Sequence, residues 1–207
     1  MDSTFKKNYS PLRKIILIVL VIAVHGAVWA FVNKYNSIRS SKDLHDLTTS
    51  FDSLFPYLGW SWFLYYFGHV YVVGGSSIAI WNYDRHNFDK IIFLFCMMII
   101  SGGIIQLALP AKSPLPDQMG FVHKWIHQNI SNDPYVCFPS MHVSLAALPT
   151  FLLIKKNKFS LIKIALIITL SLIFISTLIL KEHFFIDAAA GLFLAYFFYI
   201  LFSAEVF

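Results

Sequence analysis

The chain has 207 residues, of which 57% are hydrophobic and 13% charged, and its mean hydropathy is +0.66. A water-soluble domain of this size cannot bury that much apolar surface, so the surrounding solvent is lipid. Closed β-barrels are the other structure that crosses a bilayer, but the long unbroken apolar runs lack the alternating polarity they need.

A membrane helix needs about 20 mostly apolar residues. Six segments fit, at 15–32, 58–81, 90–109, 138–154, 161–180 and 184–202. The expected fold is therefore an all-α integral membrane protein, six transmembrane helices in one bundle, forming a single domain over residues 1–207. The first segment follows Lys6, Lys7, Arg13 and Lys14. Its apolar core is longer than the roughly 7–15 residues of a cleavable signal, so it reads as a retained anchor. With the N-terminus inside, ten of the sixteen Lys and Arg residues fall in inner segments and six in outer ones. That bias predicts cytoplasmic N- and C-termini. It also explains the net charge of +5 without a nucleic-acid partner.

Between the first two spans, residues 33–57 carry mixed charge and then SFDSLFPYLGW, which reads as an interfacial stretch. Gly74–Ser77 in the second span and Gly102-Gly103 in the third read as close-packing positions. Residues 110–137 form the longer outer loop. Its opening prolines forbid a helix. Residues 117–130 then bring Val122, Trp125, Ile126 and Ile130 to one face, as in an amphipathic surface helix. His123 and His127 have a metal-like spacing but no third ligand nearby, and read as its wet face. Asn129 opens a glycosylation sequon. Cys96 and Cys137 lie too far apart in this topology to pair.

Two clusters carry chemistry. The fourth span opens Pro139-Ser140-Met141-His142, and a helix N-terminus attracts phosphate-like anions. Ser140 adds a hydroxyl donor and His142 lies within one turn. The sixth span opens with LKEHFFIDAAAG, residues 180–191, placing His183 and Asp187 four apart. An acid one turn from an imidazole fixes its tautomer and frees the other nitrogen to attack. Each cluster alone could equally be helix capping and packing. The topology returns both to one membrane edge, because spans four and five run in and out again. Together they suggest displacement at phosphorus. His183 is the nucleophile forming a phosphohistidine, Asp187 orients it, and His142 is the acid and base. Ser140, Lys112 and Lys181 are the candidate phosphate donors. Glu182 is expected to face water.

These residues resemble the type-2 phosphatidic acid phosphatase superfamily, whose motifs are K-x6-R-P, P-S-G-H and S-R-x5-H-x3-D. The second appears as Pro139-Ser140-Met141-His142, and the third as Ser176-Thr177, five residues, His183, three residues, Asp187. The first survives only as Gln106 with Ser113-Pro114, or as Lys112 displaced. The resemblance implies a six-helix bundle whose site needs neither metal nor other cofactor. It implies a membrane lipid phosphatase acting on a lipid phosphate or pyrophosphate ester among membrane lipids. Met141 replaces the motif glycine and Thr177 the motif arginine. Lys181 is then either a substitute cation or a snorkelling interface lysine. Loss of arginines with both histidines kept is similar to the inositol-phosphoceramide and sphingomyelin synthases, so the acceptor is left open between water and an alcohol. A non-catalytic lipid-binding relative is the third possibility. The expected location is a bacterial inner membrane with the site facing the periplasm. The oligomeric state stays open.

Overall fold

A computed structural model describes residues 9–39, 43–81, 83–128 and 135–204. The long helices are α1 (Pro11–Ser37), α2 (Trp62–Trp81), α3 (Arg85–Ala108), α5 (Met141–Lys156), α6 (Ser160–Ile179) and α7 (Phe185–Ala204). A short helix, α4 (Phe121–Ile126), lies in the long loop between α3 and α5, the one expected on the outer side, and 3-10 turns at Ser50–Leu54 and Gly59–Ser61 precede α2. Among the described residues the sole β feature is an isolated bridge between His45 and Ala111.

Five of the expected spans are helices long and apolar enough to cross a membrane. The fourth is not among them, because α5 has only 16 residues. Its position accounts for this: α5 packs against α7, α2 and α6, and ten of its residues are buried by protein. It needs no lipid-facing coat, and Ser144, Thr150 and Pro149 are accommodated in its interior. α1 is the opposite case, leaning chiefly on α3 with leucines, isoleucines and valines turned outward.

The cations assigned to the inner side gather at one end of the bundle, over aromatic rings. Lys14 bonds the Trp81 carbonyl and lies over Trp81 and Phe88. Arg13 and Arg85 lie over Tyr9, Lys90 and Lys155 over Phe202, and Lys156 over Tyr83. The paired glycines of α3 behave as the sequence suggests. A Cβ on Gly102 would meet the Met141 sulfur, and one on Gly103 would meet Val28. Cys96 and Cys137 are both free.

The loops expected on the outer side depart from the sequence reading. The 3-10 turn at Ser50–Leu54 is docked on the α6–α7 connection. Asp52 accepts Phe185 N–H at 2.7 Å, its carbonyl accepts Lys181 Nζ at 2.9 Å, and Leu58 N–H bonds the Ile179 carbonyl at 2.9 Å. Phe51 and Leu54 stay exposed, in keeping with an interfacial stretch. The surface helix is shorter than the 117–130 pattern predicts. Ile130 and the Asn129 sequon lie outside the described residues.

Candidate active site

The turn that carries His183 is built by the end of α6. Leu180 is the C-cap, and Lys181 takes a left-handed φ of 61°. Lys181 N–H bonds Leu178 O at 3.2 Å and Glu182 N–H bonds Thr177 O at 3.1 Å, the Schellman pattern. Glycine usually fills this position, and a side chain there costs about 1–2 kcal/mol. The Thr177 carbonyl also accepts His183 N–H at 3.2 Å, so the helix end itself places the histidine. His183 thus precedes α7 rather than lying in its first turn. Asp187 is the third residue of α7, and its Oδ2 accepts Phe184 N–H at 2.8 Å, one half of a capping box.

The starts of α5 and α7 are joined directly. Ser140 N–H donates to the Asp187 carbonyl at 3.0 Å. One turn on, the Ser140 carbonyl lies against Gly191, where any Cβ would overlap it. Ser144 Oγ sits between the Ser140 and Gly191 carbonyls, 2.8 and 2.9 Å away. Ser140 caps α5, its buried hydroxyl accepting Val143 N–H at 3.3 Å.

His142, the second residue of α5, stacks on Tyr65 with ring centroids 4.5 Å apart and an interplanar angle of 10°. His69 meets its edge at 4.3 Å. Gly68 leaves room for the ring, since a Cβ there would strike His142 Nε2. That nitrogen is buried and has no hydrogen-bond partner. His142 and His183 line one cleft of about 640 Å³ of empty space, part of it open, together with His25, His69, Tyr65 and Gln106.

Behind His183, its Nδ1 is 3.6 Å from Asp187 Oδ2, longer than a hydrogen bond. Cys137 is wedged against both groups. Its Sγ donates to Asp187 Oδ2 at 2.6 Å and lies 3.7 Å from His183 Nδ1. Burial, then the Asp187 charge, pushes the Cys137 thiol well above its ordinary range. Asp187 Oδ1 is buried without a partner. Cys137, His183 and Asp187 are also the one metal-competent set among the described residues, with donor atoms within 4.8 Å of one another. To ligate an ion there, the thiol would have to give up the proton it shares with Asp187.

The profile of the PAP2 superfamily matches residues 55–201, which hold both histidines, the aspartate and every helix around them except α1. The chain belongs to the PAP2 superfamily. It is a membrane protein of a phosphatase-type, phosphoryl-transfer family. No curated protein and no solved structure matches it.

For a PAP2 chain its motif departures are locally compensated. Met141, in place of the glycine, packs its sulfur over Gly102. Thr177, in place of the arginine, is buried and bonds its hydroxyl to the Phe174 carbonyl at 2.8 Å. Gln106, where the first motif has lysine, donates to the Val136 and Pro139 carbonyls at 3.1 and 3.2 Å. It holds the approach to Ser140. Lys112 is exposed, and Lys181 turns to Asp52. Because the chain bends at Leu180, Lys181 does not continue the helical face of Thr177. Neither lysine is among the cleft-lining residues, and among the described residues neither is any other Lys or Arg.

Sequence reasoning missed His25 and His69, although ionisable residues inside a span are functional candidates by default. It also missed Cys137 and Asp52, which no local pattern signals.

The reading of His123, His127 and Glu182 as water-facing is overturned. All three are buried, at 0%, 7% and 6% exposure. His123 Nε2 meets Glu182 Oε1 at 2.7 Å and its Nδ1 meets the Tyr57 hydroxyl at 3.1 Å, while Gly120 N–H donates to that hydroxyl at 2.9 Å. Burial, partly opposed by Glu182, lowers the His127 pKa. The long outer loop folds down onto the residue beside His183, and this converts a wet histidine face into a pinned one.

Proposed function

We propose that the protein cleaves the phosphate or pyrophosphate ester of a membrane lipid through a phosphohistidine on His183. The observation that carries this reading is His142 Nε2. It is a buried imidazole nitrogen with no protein partner, in the cleft that His183 also lines. Such an atom is costly unless a ligand completes it.

His183 Nδ1 faces Cys137 and Asp187, which leaves Nε2 to attack phosphorus. As the N–P bond forms, the P–O ester bond breaks and His142 passes a proton to the leaving oxygen. Water then attacks the phosphohistidine while His142 takes its proton. The N–P bond breaks, phosphate leaves, and both imidazoles return to their starting state. Asp187 stabilises the ring charge of His183 while phosphorus is attached. Ser140, the first N–H groups of α5 and the cleft histidines His25 and His69 supply donors to the phosphoryl oxygens. No step calls on a metal. With both termini inside, the site faces outward, toward the periplasm if the membrane is a bacterial inner membrane.

A second reading passes the phosphoryl group to an alcohol. It draws on the lack of Lys and Arg among the described cleft-lining residues, since a phosphodiester donor lipid, a monoanion whose headgroup ester stays on the phosphorus passed to the alcohol, needs less fixed positive charge than a phosphomonoester dianion.

The test is a phosphate-release panel over phosphatidic acid, phosphatidylglycerol phosphate and isoprenyl pyrophosphates, with and without EDTA. Wild type is run beside His183→Ala and His142→Ala, with product analysis for an added phosphodiester donor lipid in the presence of alcohols. Release that both substitutions abolish supports hydrolysis, and a new phosphodiester supports transfer. Wild type that yields neither product from any substrate contradicts both.

A further inference from the structure

α1 packs chiefly on α3, and α2 on α5, so the two leave a slot between them. A second, partly open cavity, with about 510 Å³ of empty space counting what lies open to the surroundings, fills that slot below the cleft. Its walls are Ile18, Val21 and Ile22 of α1 and Val72, Val73 and Ile80 of α2. Its floor is Phe95 and Ile99 of α3 with Leu145 of α5, all 5% exposed or less. The rims are open: Ile22 is 46% and Val73 49% exposed.

The two cavities adjoin, because His25, Val72, Ile99 and Leu145 line both. Polarity changes sharply along them. The upper cavity holds four histidines and a glutamine; the lower has apolar walls with Ser76 and the shared His25 as exceptions. From His69 to Ile80 is eleven positions of α2, about 16 Å at the helical rise. That matches one leaflet of a hydrocarbon core about 30 Å thick.

We infer that the α1–α2 slot seats one long hydrocarbon chain of the substrate. The lipid enters sideways from the outer leaflet and lays its chain between Ile22 and Val73 as its phosphate reaches His142 and His183. An apolar groove with a buried floor, a lipid-facing opening and an ionisable head end fits a chain bearing one phosphate, and it fits neither a free sugar phosphate nor a peptide. The inference rests on the lipid-phosphate reading for its headgroup alone.

The experiment uses the full chain in nanodiscs with a 16-carbon alkyl phosphate carrying a diazirine at the chain end. Irradiation is followed by peptide mapping. Labels are expected on residues 18–22, 72–80 and 95–99. A 16-carbon alkyl phosphate should compete them away and butyl phosphate should not. Val73→Trp and Ile22→Trp replace rim residues, which spares the buried core, and each should cut labelling at least tenfold. Labels spread over the exposed α6 face (Leu161, Ile164, Ile168), undiminished by either tryptophan, would mean annular lipid only and overturn the slot. Labelling does not depend on turnover. Slot labels in a protein that releases no phosphate would sink the hydrolase reading and leave the slot standing. Equal turnover of the 16-carbon and butyl phosphates with scattered labels would do the reverse.

Discussion

The Cys137 thiol is nearer the Asp187 carboxylate, at 2.6 Å, than the His183 imidazole is, at 3.6 Å. The acid is therefore held by a thiol and the Phe184 amide, with the histidine just beyond hydrogen-bond reach. Catalytic hydrogen bonds are often long until substrate binds, and a charged His183 would draw Oδ2 closer.

That sharing has a pH signature. With its pKa raised in the folded state, Cys137 keeps its proton at pH values where the unfolded chain loses it. The contribution of Cys137 is therefore fully present below about pH 8.5, the ordinary thiol value, and is lost as pH rises further. Cys137→Ser keeps a donor to Asp187 but titrates far higher, so the alkaline loss of stability should shrink. Thermal unfolding in detergent between pH 7 and 10 would show it. Cys137→Ala removes the donor and should cost about 1.5–3 kcal/mol, the worth of a hydrogen bond to a charged group.

Gly191 sets the approach of α7 to α5. In Gly191→Ala the methyl group would press on the Ser140 carbonyl, and overpacking of this kind costs about 1–3 kcal/mol. Since those helix starts carry His142 and Asp187, turnover should fall at least tenfold even in the folded fraction. Gly74→Ala is the control: a Cβ there meets nothing within 4 Å, and activity and stability should hold. Parallel melting and turnover measurements on the two variants check both statements.

Lys181 ties the first outer loop to the turn before His183. Lys181→Met should lower turnover only a few-fold, through a loosened loop. Lys181→Gly loses the same tie but relieves the left-handed strain, so it should melt above Lys181→Met by about 1 kcal/mol. A hundredfold loss of turnover in Lys181→Met at unchanged stability would instead make the lysine the phosphate's cation.

Glu182 and His123 clamp the long outer loop. Glu182→Ala strands a buried imidazole and should destabilise by about 1–3 kcal/mol. Glu182→Gln keeps an acceptor and should lose much less. Hydrogen exchange over residues 112–128 reads this directly: fast in the alanine variant and near wild type in the glutamine variant.

Much of the fold was legible because lipid imposes a simple rule on composition. Each apolar run of about twenty residues announced a helix, and the cations assigned to the inner side gathered at one end of the bundle. α5 shows where the rule thins. A helix sheathed by other helices needs neither full span length nor an apolar coat, so composition overstates its likeness to its neighbours. At the site, His142, His183 and Asp187 were readable because their spacing within each helix is local. Cys137, Asp52, His123 and Glu182 were not. Their contacts join residues 46 to 133 positions apart, and only the folded loops reveal which wet-looking side chains are buried. Lys181 was misplaced for a local reason, a left-handed turn on a residue other than glycine.

The central claim is that His183 attacks phosphorus. Rapid acid-free quenching of wild type with a lipid phosphate labelled at phosphorus should trap label that is stable to base, labile to acid and confined to the peptide containing His183. Asp187→Asn should slow its formation, and His142→Ala should slow both its formation and its hydrolysis. Turnover with no label on that peptide, or turnover that survives in His183→Ala, would contradict the account.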